Sequence, residues 1–181
     1  KSRKPIVEKC TIDEDLSRRD FTVNAMAASL MKNNYGELND PHGGIGDLQR
    51  KILITPLEPE ATFKDDPLRI LRGVRFASQL NFSLASNVKD AMISQRKHLE
   101  FISQERITQE VIKTLKTPKP SIGLNLLREL NLYPYVFPEV DNLGGVDIID
   151  GKGHKDVFYH TLEVVDNAAK LTSKMKIRFA A

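Results

Sequence analysis

Two short runs carry side chains of the types that recognise a nucleotide. Arg18, Arg19, Asp20 and Asn24 offer donors and an acceptor suited to a triphosphate and a ribose. Asp66 and Arg69 offer an acceptor and a donor fork suited to a base edge. Cytosine and adenine both present an exocyclic amine beside a ring-nitrogen acceptor on their pairing edge. A carboxylate only accepts and a guanidinium only donates. Asp66 on the amine and Arg69 on the ring nitrogen would therefore suit both bases. Guanine and uracil carry the reverse pattern and would leave both side chains unpaired, which is costly in a desolvated site.

These residues must be positioned by helices. Thr11 to Glu14 and Ser17 to Asp20 both read as capping boxes, and the second predicts a helix from Arg18 to about Leu30. Its N-terminus, with free N–H groups, would be an anion site. Residues 33–36 read as a turn, 37–40 as a short strand, 43–48 as a compact glycine turn and 51–55 as a strand. Pro56 and Pro59 break the pattern, so a boundary falls at residues 57/58. Pro67 suits a first helical turn, and that helix should reach Leu80 and end at Asn81. At about 100° per residue, Asp65, Arg69, Arg72 and Phe76 share one face with Asp66 at its edge. Ile70, Leu71, Val74 and Ala77 lie opposite, toward a core. The same spacing also suits plain surface ion pairs such as Asp65–Arg69. Further helices are expected over 86–95, 103–116 and 121–130, with a last one from about Val157 after a loop with Gly144, Gly145, Gly151 and Gly153.

The composition bounds the class. The chain has 181 residues, 40% hydrophobic and 28% charged, which can bury a core. No run is long enough to span a bilayer. The lone cysteine, Cys10, excludes an internal disulfide and any zinc site built on several thiolates, and fits a cytoplasmic protein. A net charge of +3 permits a nucleic-acid partner without demanding one. The sequence starts without methionine and stops in an amphipathic run, so it reads as an internal piece of a longer protein.

In this order the two runs resemble the RRDFTxNA and EDxxR motifs of the class II tRNA nucleotidyltransferases (CCA-adding enzymes) and the bacterial poly(A) polymerases. The resemblance implies a mainly α protein. Residues 1–57 would be the α+β remnant of a nucleotidyltransferase head, 58–145 a helical neck and body, and 146–181 the start of an HD-like tail. It implies that Arg18 and Asp20 read the ribose, Arg19 and Asn24 lie near the triphosphate, and Asp66 and Arg69 read the base. Asp65 stands where the motif has glutamate. Asp65, Arg72, Glu105 and Arg106 would support the site, and Glu110 belongs to the same bracing motif. Asp40 to Leu48 resembles a motif joining head and neck.

The implied reaction adds C and A to the tRNA 3′ end from CTP and ATP, without a nucleic-acid template. Mg²⁺ would be held on an Asp-x-Asp strand expected upstream of Lys1. Without it the piece alone would be inactive. Asp13, Glu14 and Asp15 have the spacing but read as an acidic first helical turn. His154 to Val165 resembles the entry to an HD phosphohydrolase-like domain, with His160 as a candidate metal ligand. The alternatives are a poly(A) polymerase, an RNA-binding HD phosphohydrolase and a non-catalytic RNA-binding helical module.

Overall fold

The computed structural model describes residues 9–141 and 156–181, with two short backbone strands between them. Gly144, Gly145, Gly151 and His154 lie outside the described residues.

Thr11 opens α1 (Ile12–Ser17) with a reciprocal cap, Thr11 N–H to Glu14 Oε2 at 2.7 Å and Glu14 N–H to Thr11 Oγ1 at 3.3 Å. The helix stops at Arg18. The helix expected over residues 18–30 does not form. Phe21 is extended, Thr22–Asn24 is one 3₁₀ turn, and Ala27–Ala28 is β1, antiparallel to β2 (Leu38–Asn39). Tertiary packing overrides the local cap here. Phe21 and Ala25 are fully buried, and Thr22 N–H donates to Ile54 O at 2.8 Å. A helix would forfeit that pairing.

The expected glycine turn at 43–48 is a helix, α2 (Gly44–Arg50). Both oxygens of Asp40 serve its start, accepting from Gly44 N–H at 2.7 Å and Ile45 N–H at 3.0 Å. Gly43 supplies the left-handed entry at φ 72°. Gly44 packs so close to the chain that a Cβ there would meet Thr22 O at 2.3 Å. β3 (Ile52–Leu53) follows.

The prolines near residue 57 start a helix rather than only breaking the chain: α3 (Pro59–Asp65) has Pro59 in its first turn. Asp65 ends α3 and Asp66 is extended, φ −137° and ψ 98°. Neither lies on the following helix, α4 (Leu68–Leu80), contrary to the single-helix expectation. The reason is Pro67, whose ring drives the preceding residue out of the helical region. Asn81 ends α4, as expected, and does so in the left-handed conformation.

In the remainder the helices expected over 86–95, 103–116, 121–130 and from Val157 form, among further short elements. β4 (Ser83–Leu84) pairs in parallel with β3, Ile52 opposite Ser83. α5 (Ser86–Gln95), a 3₁₀ segment (Arg96–Phe101), α6 (Gln104–Leu115), α7 (Pro120–Glu129), α8 (Tyr133–Val136) and α9 (Pro138–Asp141) succeed one another. β5 (Ile148–Ile149) and β6 (Lys152–Gly153) form an antiparallel pair before α10 (Val157–Leu171) and α11 (Met175–Ala180). The fold is mainly α, as expected.

α4 is the central element. Ile70, Leu71, Val74 and Ala77 are buried, the core face the spacing predicts. α4 packs on α6 and α7, α3 packs on α5, and α7 packs on α10. Phe21 joins this same core, edge-on to Phe76 with ring centres 5.8 Å apart. Gly73 makes room for it, since a Cβ there would lie 2.9 Å from Phe21 Cζ. That contact brings the segment around Asp20 against the polar side of α4. Among the described residues no helix is long and apolar enough to cross a membrane.

Candidate nucleotide site

Arg69 stands where α1, α3 and α4 meet. Its Nη2 donates to Arg18 O at 2.6 Å and its Nη1 to Thr62 O at 3.2 Å. Its Nε faces Asp20 Oδ1 at 3.3 Å, and its side chain is only 14% exposed. A helix end explains the first contact. The last carbonyls of a helix lack intrahelical partners and carry partial negative charge, so a cation is favoured there. Arg18 closes α1. Thr62 is the middle residue of α3, and its carbonyl also accepts from Asp66 N–H at 3.5 Å. One N–H on each terminal nitrogen remains beyond these bonds. Asp65 Oδ2 lies 3.6 Å from Nη1.

Asp66 precedes Arg69 by less than one turn, and Arg69 N–H donates to Asp66 O at 3.0 Å. Asp66 Oδ1 accepts from Leu68 N–H at 3.2 Å, capping the start of α4. Its Oδ2 faces Arg106 Nη2 at 3.3 Å, across from α6. A carboxylate offers roughly four acceptor sites, so two stay available after these bonds. The structure thus brings Asp66, Arg69 and Arg106 to one seam, adjacent to Arg18.

Asp20 is 7% exposed. Both its oxygens face cations: Oδ1 faces Arg69 Nε, and Oδ2 accepts from Arg72 Nε at 2.5 Å. Asp20, expected to read the ribose, faces two arginines of α4. Arg18 and Arg19 were expected at a helix N-terminus. They lie at the C-terminal end of α1 and just beyond it, and both turn back onto Asp15. Arg18 reaches it through Nε at 2.9 Å and Arg19 through Nη2 at 2.9 Å. These bonds, Arg18 first and Arg19 second, hold the Asp15 carboxyl below the ordinary carboxylate range. Arg18 remains 71% exposed and Arg19 is exposed too. Asn24 Oδ1 accepts from Phe21 N–H at 3.2 Å, which fixes the turn after Asp20.

The bracing residues separate. Among the described residues Glu105 receives only Gln109 Nε2, at 3.4 Å. Glu110 is buried and takes Arg75 Nε and Lys113 Nζ, each at 2.7 Å. Burial alone would raise its carboxyl, but Lys113 and then Arg75 outweigh it and hold it low. Arg75 thereby pins α4 to α6.

Three contributors were missed in the sequence. Asp15 was legible, because it lies three and four residues before Arg18 and Arg19. Asp47 is buried and accepts from Thr22 Oγ1 at 2.5 Å, tying the segment after Asp20 to α2. Its pairing had no local signal, and neither did the Thr62 carbonyl.

Metal ligation finds no support here. Among the described residues no group of three or more His, Cys, Asp or Glu could hold an ion. Asp13 Oδ1 accepts from Asn39 Nδ2 at 2.8 Å, Glu14 caps α1 and Asp15 holds two arginines. These acids do not fit a divalent ion. His160 is exposed in the first turns of α10.

Comparison with known proteins supplies the context for this geometry. Residues 1–54 match a family model described as the poly A polymerase head domain. Residues 81–143 match one described as the probable RNA and SrmB-binding site of polymerase A. Proteins named Multifunctional CCA protein from Vibrio parahaemolyticus and Vibrio vulnificus are 39% and 42% identical over 178 residues. In each case 94% of this chain and 42% of the relative is covered. The chain thus spans about two-fifths of the length of these relatives. Among solved structures, the Bacillus stearothermophilus CCA-adding enzyme in complex with CTP has a TM-score of 0.66 at 41% identity. That likeness covers 70% of this chain and 31% of the enzyme. The Thermotoga maritima CCA-adding enzyme complexed with tRNA has a TM-score of 0.67 at 32% identity, covering 71% of this chain and 31% of that one.

Proposed function

Because the chain belongs to the family of tRNA nucleotidyltransferases (CCA-adding enzymes) and bacterial poly(A) polymerases, we propose that the protein carrying it adds C and A to the 3′ end of tRNA from CTP and ATP. The tRNA 3′-hydroxyl attacks the α-phosphate and pyrophosphate leaves. This segment supplies nucleotide selection. Residues 1–57 are the end of the head, 58–145 the neck and body, and 146–181 the start of an HD-like tail in which His160 is a candidate ligand. Mg²⁺ would be held by carboxylates other than the described ones, and the protein would work in the cytoplasm.

The observation that carries the reading is the fixing of Arg69 beside Asp66. Arg69 is held by Arg18 O and Thr62 O, so its two remaining donors have a set direction. Asp66 keeps acceptor capacity after meeting Leu68 and Arg106. Such a pair takes the edge shared by cytosine and adenine and leaves guanine and uracil unpaired. Arg18 and Asp20 would read the sugar, with Arg19 and Asn24 near the triphosphate. Basic groups on the helical body would carry tRNA affinity, weakening as salt rises.

The test is nucleotide incorporation into tRNA lacking its 3′ CCA by the full-length protein. Efficient use of both CTP and ATP, with UTP and GTP rejected, is expected. In Arg69→Ala that rejection should fall by on the order of 10²-fold or more. Incorporation of ATP alone would instead favour the poly(A) polymerase reading. Undiminished base selection in Arg69→Ala would remove the base-reading assignment.

A further inference from the structure

The two oxygens of the Asp20 carboxylate are not equivalent. Oδ2 accepts from Arg72 Nε at 2.5 Å. Oδ1 lies 3.3 Å from Arg69 Nε, an ion-pair approach, and accepts no hydrogen bond among the described residues. A carboxylate oxygen offers roughly two acceptor sites, so Oδ1 keeps its capacity for a sugar hydroxyl. Arg72 is thus the one hydrogen-bond partner of this carboxylate among the described residues.

The main chain beside Asp20 is fixed without Arg72. Phe21 is fully buried, Phe21 N–H donates to Asn24 Oδ1, and Thr22 N–H donates to Ile54 O. The direction of the carboxylate is left to side-chain contacts. Arg72 sits one turn beyond Arg69 on α4, on a backbone held by the buried Ile70, Leu71 and Val74. Its charge-assisted bond engages Oδ2 and leaves Oδ1 as the oxygen open to a ligand. Without Arg72 the remaining cation facing Asp20 is Arg69. A carboxylate only 10% exposed is costly unpaired, so it would turn onto Arg69 and spend Oδ1 there.

We propose that Arg72 is a positioning residue for sugar selection: it holds Asp20 Oδ2, and so keeps Oδ1 off Arg69 and open to the ribose. The inference rests on the sugar reading assigned to Asp20 above. Arg72 therefore governs the choice of ribose over deoxyribose, although it stands on the helix that carries the base-reading arginine. Its side chain is 36% exposed, and its Nη1 and Nη2 make no hydrogen bond among the described residues. A direct contact from those nitrogens to the nucleotide is the rival role, and the experiment must separate the two.

The full-length protein and its Arg72→Met, Arg72→Lys, Asp20→Asn and doubly substituted Asp20→Asn, Arg72→Met variants are given tRNA lacking its 3′ CCA. For each, kcat/KM is measured with CTP, dCTP and UTP. Arg72→Met should lower the CTP/dCTP ratio by on the order of tenfold, since misplacing a positioned group by about 1 Å costs up to roughly 10²-fold. The CTP/UTP ratio should hold. Arg72→Lys keeps the charge and should lose less, and it carries the test if Arg72→Met does not fold. The double variant should discriminate against dCTP no worse than Asp20→Asn alone, because both substitutions break one interaction. Losses that multiply in the double variant would overturn the proposal and give Arg72 its own contact with the nucleotide. An equal loss with all three nucleotides would overturn it too, leaving a structural role only. So would a fallen CTP/UTP ratio with CTP/dCTP intact. Asp20→Asn isolates the premise. If it lowers CTP/dCTP and neither Arg72 variant does, the inference fails while the sugar reading stands. If it leaves CTP/dCTP unchanged, the sugar reading itself fails.

Discussion

Arg69 and Arg178 are both withdrawn from water, and their surroundings use them differently. Arg178 is 7% exposed and, among the described residues, bonds only carbonyls: Thr172 O at 2.7 Å from Nε, Leu115 O and Thr117 O at 2.9 and 3.0 Å from Nη1, and Ala169 O at 2.9 Å from Nη2. Four hydrogen bonds leave one N–H of five. Those carbonyls end α6 and α10, so the guanidinium closes two helix ends at once and clips α11 to both. Arg69 also bonds main-chain carbonyls, Arg18 O and Thr62 O, but keeps a donor on each terminal nitrogen. It has a carboxylate at its back and another beside its base. A buried arginine with its donors consumed is a fastener. One with donors left over and its plane fixed is suited to a ligand.

The largest effect that would break this contrast is on stability at Arg178. Arg178→Met should destabilise the protein by about 3–5 kcal/mol, because four buried acceptors lose a charged donor. Urea unfolding with the full-length protein measures it, and a loss under about 1 kcal/mol would deny the fastener role. Arg69→Ala should show the reverse balance. Its cost in kcat/KM for CTP should be on the order of 10²-fold, equivalent to about 3 kcal/mol, with a smaller loss in urea midpoint than Arg178→Met.

Glu110 sharpens the contrast through pH, since it fastens α4 to α6 with no ligand in view. Its folded carboxyl lies below the ordinary 4.5, so its ion pairs contribute fully above that value. The contribution is lost as pH falls through the lowered folded value. The urea midpoint of the natural protein should therefore drop more steeply on acidification than that of Glu110→Gln. Parallel curves would show that the Arg75 and Lys113 pairs contribute little.

The smallest expected effect is coupling between the two arginines. They share no hydrogen-bond partner, so the stability losses of Arg69→Ala and Arg178→Met should add within about 0.5 kcal/mol. A larger interaction energy would mean that the nucleotide seam and the α6–α10 clip act as one unit.

The legible and illegible parts of this chain divide by the reach of the forces involved. α5 was readable to the residue, and α4, α6, α7 and α10 nearly so, because apolar spacing, proline and Asn81 act within a turn or two. The extended Asp66 was readable in principle from Pro67. The run after Arg18 was not. Its own residues offer a cap and helical spacing, yet Phe21 and Thr22 are claimed by Phe76, Gly73 and Ile54 from elsewhere in the chain. α11 and α2 were missed for a similar reason. α11 is clipped by Arg178 to distant carbonyls, and Asp40 caps α2 from beyond its glycines.

The sequence by itself determined α4, α5, α6, α7 and α10 and which residue types could meet a nucleotide, because helical bonds close within four residues and caps within three. Only the tertiary structure decided which of those residues are free to meet it. The partners of Asp20, Arg69 and Arg178 are carboxylates, cations and carbonyls from remote segments. A buried charge must take whatever opposite charge or acceptor packing brings to it.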